Sequence, residues 1–175
     1  MTEKEKWDRG VAALCAEFSG FSQGQRNTAS RLATAIITCK SNLHLIIKKA
    51  GAEAICTDCQ GECCRGGKNH VGAVDLLVYL CEGIDLFEPY FEQEFCPYLS
   101  DCGCMMAPEF RPYNCITFVC EQVDDLVPPG EKARLLDLER ELRYLYQEME
   151  SLLDKRFRYS LLGVCERSTC STANG

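Results

Sequence analysis

The sequence lacks any hydrophobic run long enough to span a lipid bilayer, because its most apolar region is interrupted by Lys40, His44 and Lys48-Lys49. Its first ten residues are largely polar and lack the apolar core of a secretory signal peptide. Basic residues are scarce as well, since 19 Lys and Arg against 26 Asp and Glu give a net charge of −7. These absences argue against a membrane protein, a secreted protein and a dedicated nucleic-acid binder, and they predict a cytoplasmic location.

Familiar catalytic signatures are also missing. The chain has no P-loop, no His-Glu-x-x-His motif and no glycine-rich dinucleotide turn. A radical-SAM spacing that starts from Cys59 and Cys63 requires a cysteine at position 66, which is a glycine. The sequence therefore leaves open whether the protein is an enzyme.

Cysteine, in contrast, is abundant: the chain has 14 in 175 residues, and ten of them lie between Cys56 and Cys120. In a reducing cytosol, clustered thiols favour metal or redox chemistry over disulfide bonds. Thiolates are soft ligands that select zinc, copper(I) or iron–sulfur clusters. We therefore expect a metal centre, with a disulfide framework as the alternative.

Apolar residues at helical spacing predict an amphipathic helix near residues 3–18 and a longer second helix from about Leu32 to a cap at Gly51. Polar residues and a glycine over 21–27 predict a loop between them. We expect these two helices to form an antiparallel hairpin within a single domain, 1–175.

The C-terminal part begins with a break at 128–130, after which a long helix is predicted from Glu131 to about Tyr159. Apolar residues recur every three or four positions from Leu135 to Leu152 and form a heptad seam. We interpret the seam as packing against the N-terminal helices, with a homodimer through the 131–158 helix as the alternative.

Between these parts, residues 52–123 show little regular pattern except a short helix around Val74–Cys81 and another turn or two over Leu86–Phe91. A segment this irregular requires fastening beyond secondary structure, which a metal centre supplies. The predicted fold is mostly α: a helical hairpin plus a long C-terminal helix that encloses an irregular, cysteine-rich metal-binding core at about 54–121.

The cysteine spacings identify candidate ligands. Cys56, Cys59 and Cys63 project from one side of a helical turn or a tight knuckle, whereas Cys64 points in another direction and joins the group to a second site or layer. With the thiols of the second half, the candidate metal ligands are Cys56, Cys59, Cys63, Cys64, Cys96, Cys104, Cys115 and Cys120. Eight thiols suffice for two four-cysteine sites, or for one cluster and a further redox or structural set.

A centre with four thiolates carries a net charge near −2, and this charge must be compensated when it is buried. Arg111 is the predicted compensating residue, with pairing to Glu109 or Asp101 as the alternative. Adjacent thiols and long gaps between ligands favour an iron–sulfur cluster, 4Fe–4S in type, over a zinc ion, which remains the alternative.

The order of the motifs is also informative: Cys-x2-Cys-x3-Cys-Cys is followed by Cys-Pro-x-Leu at 96–99, Gly-Cys at 103–104, Arg-Pro-x-x-Cys at 111–115 and Cys120. This set resembles the YkgJ-like cysteine-cluster family of zinc- or iron-chelating domains, over about 54–121. The resemblance implies that the eight thiols are the ligand positions. A related cluster occurs in flagellin lysine N-methylases, which implies an iron–sulfur centre tied to methyl transfer as one outcome.

The chain departs from that family in two places. Residues 105–108, Met-Met-Ala-Pro, stand where the family has a shorter segment with an aromatic residue. Cys102 is an extra thiol two residues before Cys104, so either of the two is the ligand at this position.

The other cysteines and both histidines are assigned structural roles. Single cysteines on apolar helical faces are expected to be core residues, and Cys165 with Cys170 is interpreted as a tail thiol pair, with a further ligand pair as the alternative. The predicted core cysteines are Cys15, Cys39 and Cys81. His44 is expected to be a partly buried helix residue, and metal ligation by His70 is the less favoured alternative for that residue.

We therefore expect a small cytoplasmic metal-binding protein whose iron–sulfur cluster serves electron transfer, cluster-assisted chemistry or metal handling, with an unidentified protein or redox partner. One alternative is a structural zinc-binding module that presents the Leu135–Leu152 seam to a partner. The other is a cluster-dependent, methyltransferase-like enzyme that acts on a lysine side chain.

Overall fold

A computed structural model describes residues 1–59, 67, 69–86, 88–92, 96–100 and 103–157. The protein is mostly α, as predicted. In the described ranges the helices are α1 (Glu3–Ser19), α2 (Gln23–Lys49), α3 (Ala52–Asp58), α4 (Ala73–Glu82), α5 (Tyr113–Thr117), α6 (Glu121–Asp124) and α7 (Pro129–Ser151). One antiparallel pair of short strands, β1 (Leu99–Ser100) and β2 (Gly103–Cys104), interrupts them.

The first two helices begin with reciprocal caps. Thr2 pairs with Glu5 at the start of α1, and Ser22 pairs with Gln25 at the start of α2. In each pair, the side chain of one residue accepts a hydrogen bond from the backbone amide of the other. The cap at Ser22 starts α2 nine residues before Leu32, and the predicted loop over 21–27 was therefore wrong. Gly51 follows the helix with a φ of +86°, the left-handed conformation expected of a glycine at a helix end.

The helices do not pair as the predicted hairpin. A tight turn joins α1 to α2, but α1 packs mainly on α4, while α2 packs mainly on α7 and α4. The reason is the apolar character of α4, in which every residue over 73–79 is buried. A helix that is apolar on all sides lies between its neighbours rather than on the surface.

The seam of α7 packs inside the chain. Leu142 and Met149 are fully buried, and the thiol of Cys39 on α2 donates to the carbonyl of Leu138 at 3.2 Å. The helix ends at Ser151 and a 3-10 turn, Lys155–Phe157, follows it, so α7 is shorter than predicted. Homodimerisation through the 131–158 helix stays a prediction.

The middle of the chain contains more regular structure than its sequence indicates. The predicted helix around Val74–Cys81 is confirmed as α4. The described residues of 86–91 form no helix, which contradicts the predicted turn there. The short helices α5 and α6 were not expected from the sequence pattern, whereas α3 coincides with the helical turn that was one of the two predictions for Cys56 and Cys59. No helix in the described part of the chain combines the length and the apolar character needed to cross a membrane.

Candidate metal centre

The first predicted ligands lie at the end of α3. Cys56 belongs to the helix, and the amide of Cys59 donates to the carbonyl of Ile55 at 3.0 Å, which extends the helical turn. The thiol of Cys59 lies 3.6 Å from the carbonyl of Cys56, so the two cysteines occupy successive turns of one face, as predicted. Cys63 and Cys64 lie outside the described residues.

A second pair of thiols belongs to the β1–β2 hairpin. The amide of Leu99 donates to the carbonyl of Cys96 at 3.0 Å, and Leu99 is then paired with Cys104 across the strands. Cys96 is buried and Cys104 is exposed. Burial raises the pKa of the Cys96 thiol and the charge of Cys104 adds to this, whereas a hydrogen bond from the Tyr98 amide opposes it.

Gly67 connects the first cysteine group to the hairpin. It is buried, and a Cβ built at this position overlaps the sulfur of Cys96 and lies 3.2 Å from the Cys96 Cβ. Only a glycine therefore allows the backbone to approach that thiol so closely. The segment that follows Cys63-Cys64 in sequence is thus in contact with a thiol about thirty residues later.

Cys115 lies on α5, which begins directly after Arg111-Pro112. Its exposed sulfur lies 3.3 Å from Nδ1 of His70. The helix is anchored to α7 by the rings of Tyr113 and Tyr146, whose centroids are 5.3 Å apart. Cys120 is half-buried at the start of α6, and α6 packs against α3, which carries Cys56.

Among the described donors, Cys115 and His70 lie in direct contact, and most of the others lie in pairs along α3 and around the β1–β2 hairpin. Among the described residues, no group of three or more His, Cys, Asp or Glu side chains is arranged to hold a metal ion. Among the nine described cysteines, no disulfide bond joins one to another. A thiol-rich donor set with one imidazole fits the ligand chemistry of zinc and iron–sulfur sites.

Beneath Cys115 lies a buried polar network that the sequence analysis missed. Lys40 is fully buried, and its Nζ donates to the carbonyl of Arg111 at 2.6 Å and to Asp75 at 3.4 Å. The hydroxyl of Tyr146 donates to the same Asp75 oxygen. The only sequence signal for this network is that Lys40 lies on the apolar stripe of α2, between Ile36 and Leu43.

The electrostatics of this network follow from burial. Desolvation lowers the pKa of Lys40, while the charges of Asp75 and, more weakly, Cys115 oppose the shift. Burial also raises the pKa of the Tyr146 hydroxyl well above its ordinary value, and Asp75 adds to this. Through its bond to the Arg111 carbonyl, Lys40 fixes the backbone four residues before Cys115.

Arg111, the predicted compensating residue, is half-buried, and its Nε donates to the carbonyl of Met106 at 3.3 Å. Its own carbonyl is the acceptor for Lys40. In the described contacts Arg111 therefore shapes the loop before Cys115. Its action on a metal centre stays a prediction, and its alternative partner Asp101 lies outside the described residues.

The cysteines and the histidine that were predicted to be structural are buried to different extents. Cys39 is a core residue with 2% of its surface exposed, and burial raises its pKa to about 11; Cys81 is half-buried with a pKa also raised to about 11, chiefly by burial. Cys15 is half-buried as well, so Cys15 and Cys81 are less buried than the core assignment predicted. His44 is half-buried, as expected. Cys102, Cys165 and Cys170 lie outside the described residues.

Comparisons with other proteins identify no relative. No protein-family model matches the chain, no curated protein matches it, and no solved structure matches it. The resemblance to the YkgJ-like family therefore rests on the order and spacing of the cysteine motifs.

Proposed function

We propose that this chain is a metal-binding cysteine-cluster protein, and that its centre is an iron–sulfur cluster used for electron transfer, cluster-assisted chemistry or metal handling. The observation that carries the proposal is the contact of Gly67 with the Cys96 sulfur. It joins the segment directly after Cys63-Cys64 to the hairpin that holds Cys96 and Cys104. Convergence of thiols from distant parts of a chain is what a shared inorganic centre requires.

A second contact supports the same location. His70 follows Gly67 by three residues, and its amide donates to the Gly67 carbonyl at 3.0 Å, which closes a tight turn. One end of this turn touches Cys96 and the other touches Cys115. Two thiols from separate elements therefore flank one short turn, and the Cys63-Cys64 pair precedes that turn by only a few residues in sequence.

The exposure of the cysteines determines how the negative charge of such a centre is stabilised. Cys104 and Cys115 are exposed, so water stabilises part of the charge of their thiolates, whereas Cys96 is buried. The amide of Tyr98 donates a hydrogen bond to the Cys96 sulfur, and this stabilises its thiolate. Metal binding releases the thiol protons, which links occupancy of the site to folding of this segment.

The proposal is tested on protein purified without oxygen and without a histidine tag, by elemental analysis and a visible absorption spectrum. We expect iron and inorganic sulfide with broad absorption near the violet. Cys96→Ser and Cys115→Ser should lose most of the metal, whereas Cys39→Ala and Cys81→Ala, on α2 and α4, should keep it. A colourless, metal-free wild-type protein, or equal loss in both pairs of variants, contradicts the proposal.

A structural zinc module is the second candidate. It is favoured by the 3.3 Å separation of His70 Nδ1 and the Cys115 sulfur, because zinc takes imidazole and thiolate ligands together. Zinc without iron in the same elemental analysis selects this candidate.

A further inference from the structure

The imidazole of His70 occupies a position that the eight-thiol ligand set does not use. We propose that His70 is a ligand of the metal centre through Nδ1, next to Cys115, so that the centre has a mixed nitrogen and sulfur shell. This inference rests on the proposed metal-binding function, and it names a ligand of that site.

The distance between the two donors fits ligands of one metal ion, as in a zinc site or on one iron of a 2Fe–2S cluster, whereas each iron of a cubane takes a single protein ligand. A tetrahedral metal with one sulfur ligand at about 2.3 Å and one imidazole nitrogen at about 2.0 Å separates those two donors by about 3.5 Å. The observed separation of Nδ1 and the Cys115 sulfur is 3.3 Å. Little movement of either side chain is therefore needed for both to reach one ion.

The backbone on both sides of His70 is held in place. On one side, the amide of His70 closes the turn with Gly67, which is pressed against Cys96. On the other side, Val71 is 2% exposed in the core, and the amide of Gly72 donates to Asp75 at 2.9 Å. His70 thus lies between two anchored points, which is the arrangement that fixes a metal ligand before the metal arrives.

Charge gives an independent reason for an imidazole in the shell. A zinc ion or a 2Fe–2S core with four thiolates has a net charge near −2, and exchanging one thiolate for a neutral imidazole brings it near −1. Lys40, the buried amine of the neighbouring network, is already engaged by Asp75 and the Arg111 carbonyl. A less negative centre is therefore the easier one to accommodate beside this network.

The composition of the chain allows a clean test, because it has only two histidines, His70 and His44. X-ray absorption at the edge of the bound metal, on tag-free protein, should show an imidazole nitrogen beside the sulfur ligands. The nitrogen contribution should disappear in His70→Ala and persist in His44→Ala. Circular dichroism verifies that both variants are folded.

A second readout is metal retention against a chelator. His70→Ala should release metal at least about tenfold faster than the wild type. Loss of a residue that only supports a ligand weakens metal binding by about tenfold or more, and loss of the ligand itself should cost at least as much. His70→Cys should restore retention while its absorption spectrum shows sulfur alone, and His44→Ala should behave as the wild type.

The outcomes separate the two proposals. Metal bound by wild-type protein through sulfur only, or an unchanged nitrogen contribution in His70→Ala, overturns the assignment of His70 and leaves the metal-binding function standing. A metal-free wild-type protein overturns both. If the nitrogen contribution disappears in His44→Ala instead, His44 is the ligand and the inference is overturned.

Discussion

The helical frame consists of α1, α2, α4 and α7, and the central segment consists of the shorter elements over 52–72 and 83–128. The cysteines of these two regions show how one residue type takes two roles. Cys39, on α2, is 2% exposed and donates its thiol to a carbonyl of α7. Cys56, Cys104 and Cys115 are exposed, on short elements of two to seven residues. The frame holds itself together by apolar burial, whereas the central segment leaves these three thiols exposed and buries only Cys96 among its described cysteines.

Lys40 links these two regions, and the largest expected effect is its loss. Lys40→Met leaves the Asp75 carboxylate buried without its cation and removes the donor to the Arg111 carbonyl. We expect the free energy of unfolding to fall by about 3–5 kcal/mol, measured by urea denaturation with circular dichroism. Lys48→Met is the control, since its ion pair with Glu53 is exposed and is worth at most about 1 kcal/mol. Equal effects in the two variants would contradict a structural link through Lys40.

Thiol reactivity distinguishes the two regions directly. The pKa of Cys39 and of Cys81 is raised from 9.0 to about 11, so at pH 8 each has about 100-fold less thiolate than an unshifted thiol. In metal-stripped, folded protein, a short pulse of iodoacetamide with mass spectrometry should label the exposed Cys56 and Cys104 well before Cys39 and Cys81. Labelling at equal rates would remove the distinction between the regions.

The same shifts predict a pH dependence. The unfolded thiols ionise near 9.0 and the folded ones near 11, so the stabilisation from the neutral buried thiols is complete below pH 9 and is lost as the pH rises towards 11. The urea midpoint should therefore fall across this window. A Cys39→Ala/Cys81→Ala variant should show a shallower fall, and an equally steep one would assign the loss to other groups.

A substitution at Gly67 tests the contribution of the central segment to stability and metal binding. Gly67→Ala forces a methyl group against the Cys96 sulfur and should cost about 1–3 kcal/mol and lower the metal content. Gly24→Ala is the matched control, because no atom lies within 4 Å of the added Cβ and an alanine in α2 should be neutral or stabilising by up to about 1 kcal/mol. Unchanged stability and metal content in Gly67→Ala would show that the close approach is unimportant.

The smallest effect is expected at a helix start within the frame. Ser22→Ala removes the acceptor of the Gln25 amide and should cost about 1 kcal/mol in the free energy of unfolding. Ser30→Ala, at an exposed position inside the same helix, should be neutral or slightly stabilising. Metal content should be unchanged in both, and a loss in Ser22→Ala would mean that the frame and the central segment are more tightly coupled than proposed.

The local sequence pattern predicted the helical frame well, except where a helix cap set the boundary of an element. The apolar spacing predicted α1, α4 and most of α7, but polar residues before Leu32 were interpreted as a loop because the capping box at Ser22 was not recognised. In the central segment, the spacing of Cys56 and Cys59 predicted their shared helical turn. The contact of Gly67 with Cys96 has no such signal, since the two are far apart in sequence.

The sequence by itself determined the helical periodicity, the abundance of thiols and the acidic charge, because each of these is local or compositional. Only the tertiary structure decided that Lys40 is buried, that Gly67 lies against Cys96 and that His70 lies beside Cys115. These contacts join residues tens of positions apart. They depend on how α2, α4 and α7 pack, and side-chain periodicity within one helix does not specify its neighbours.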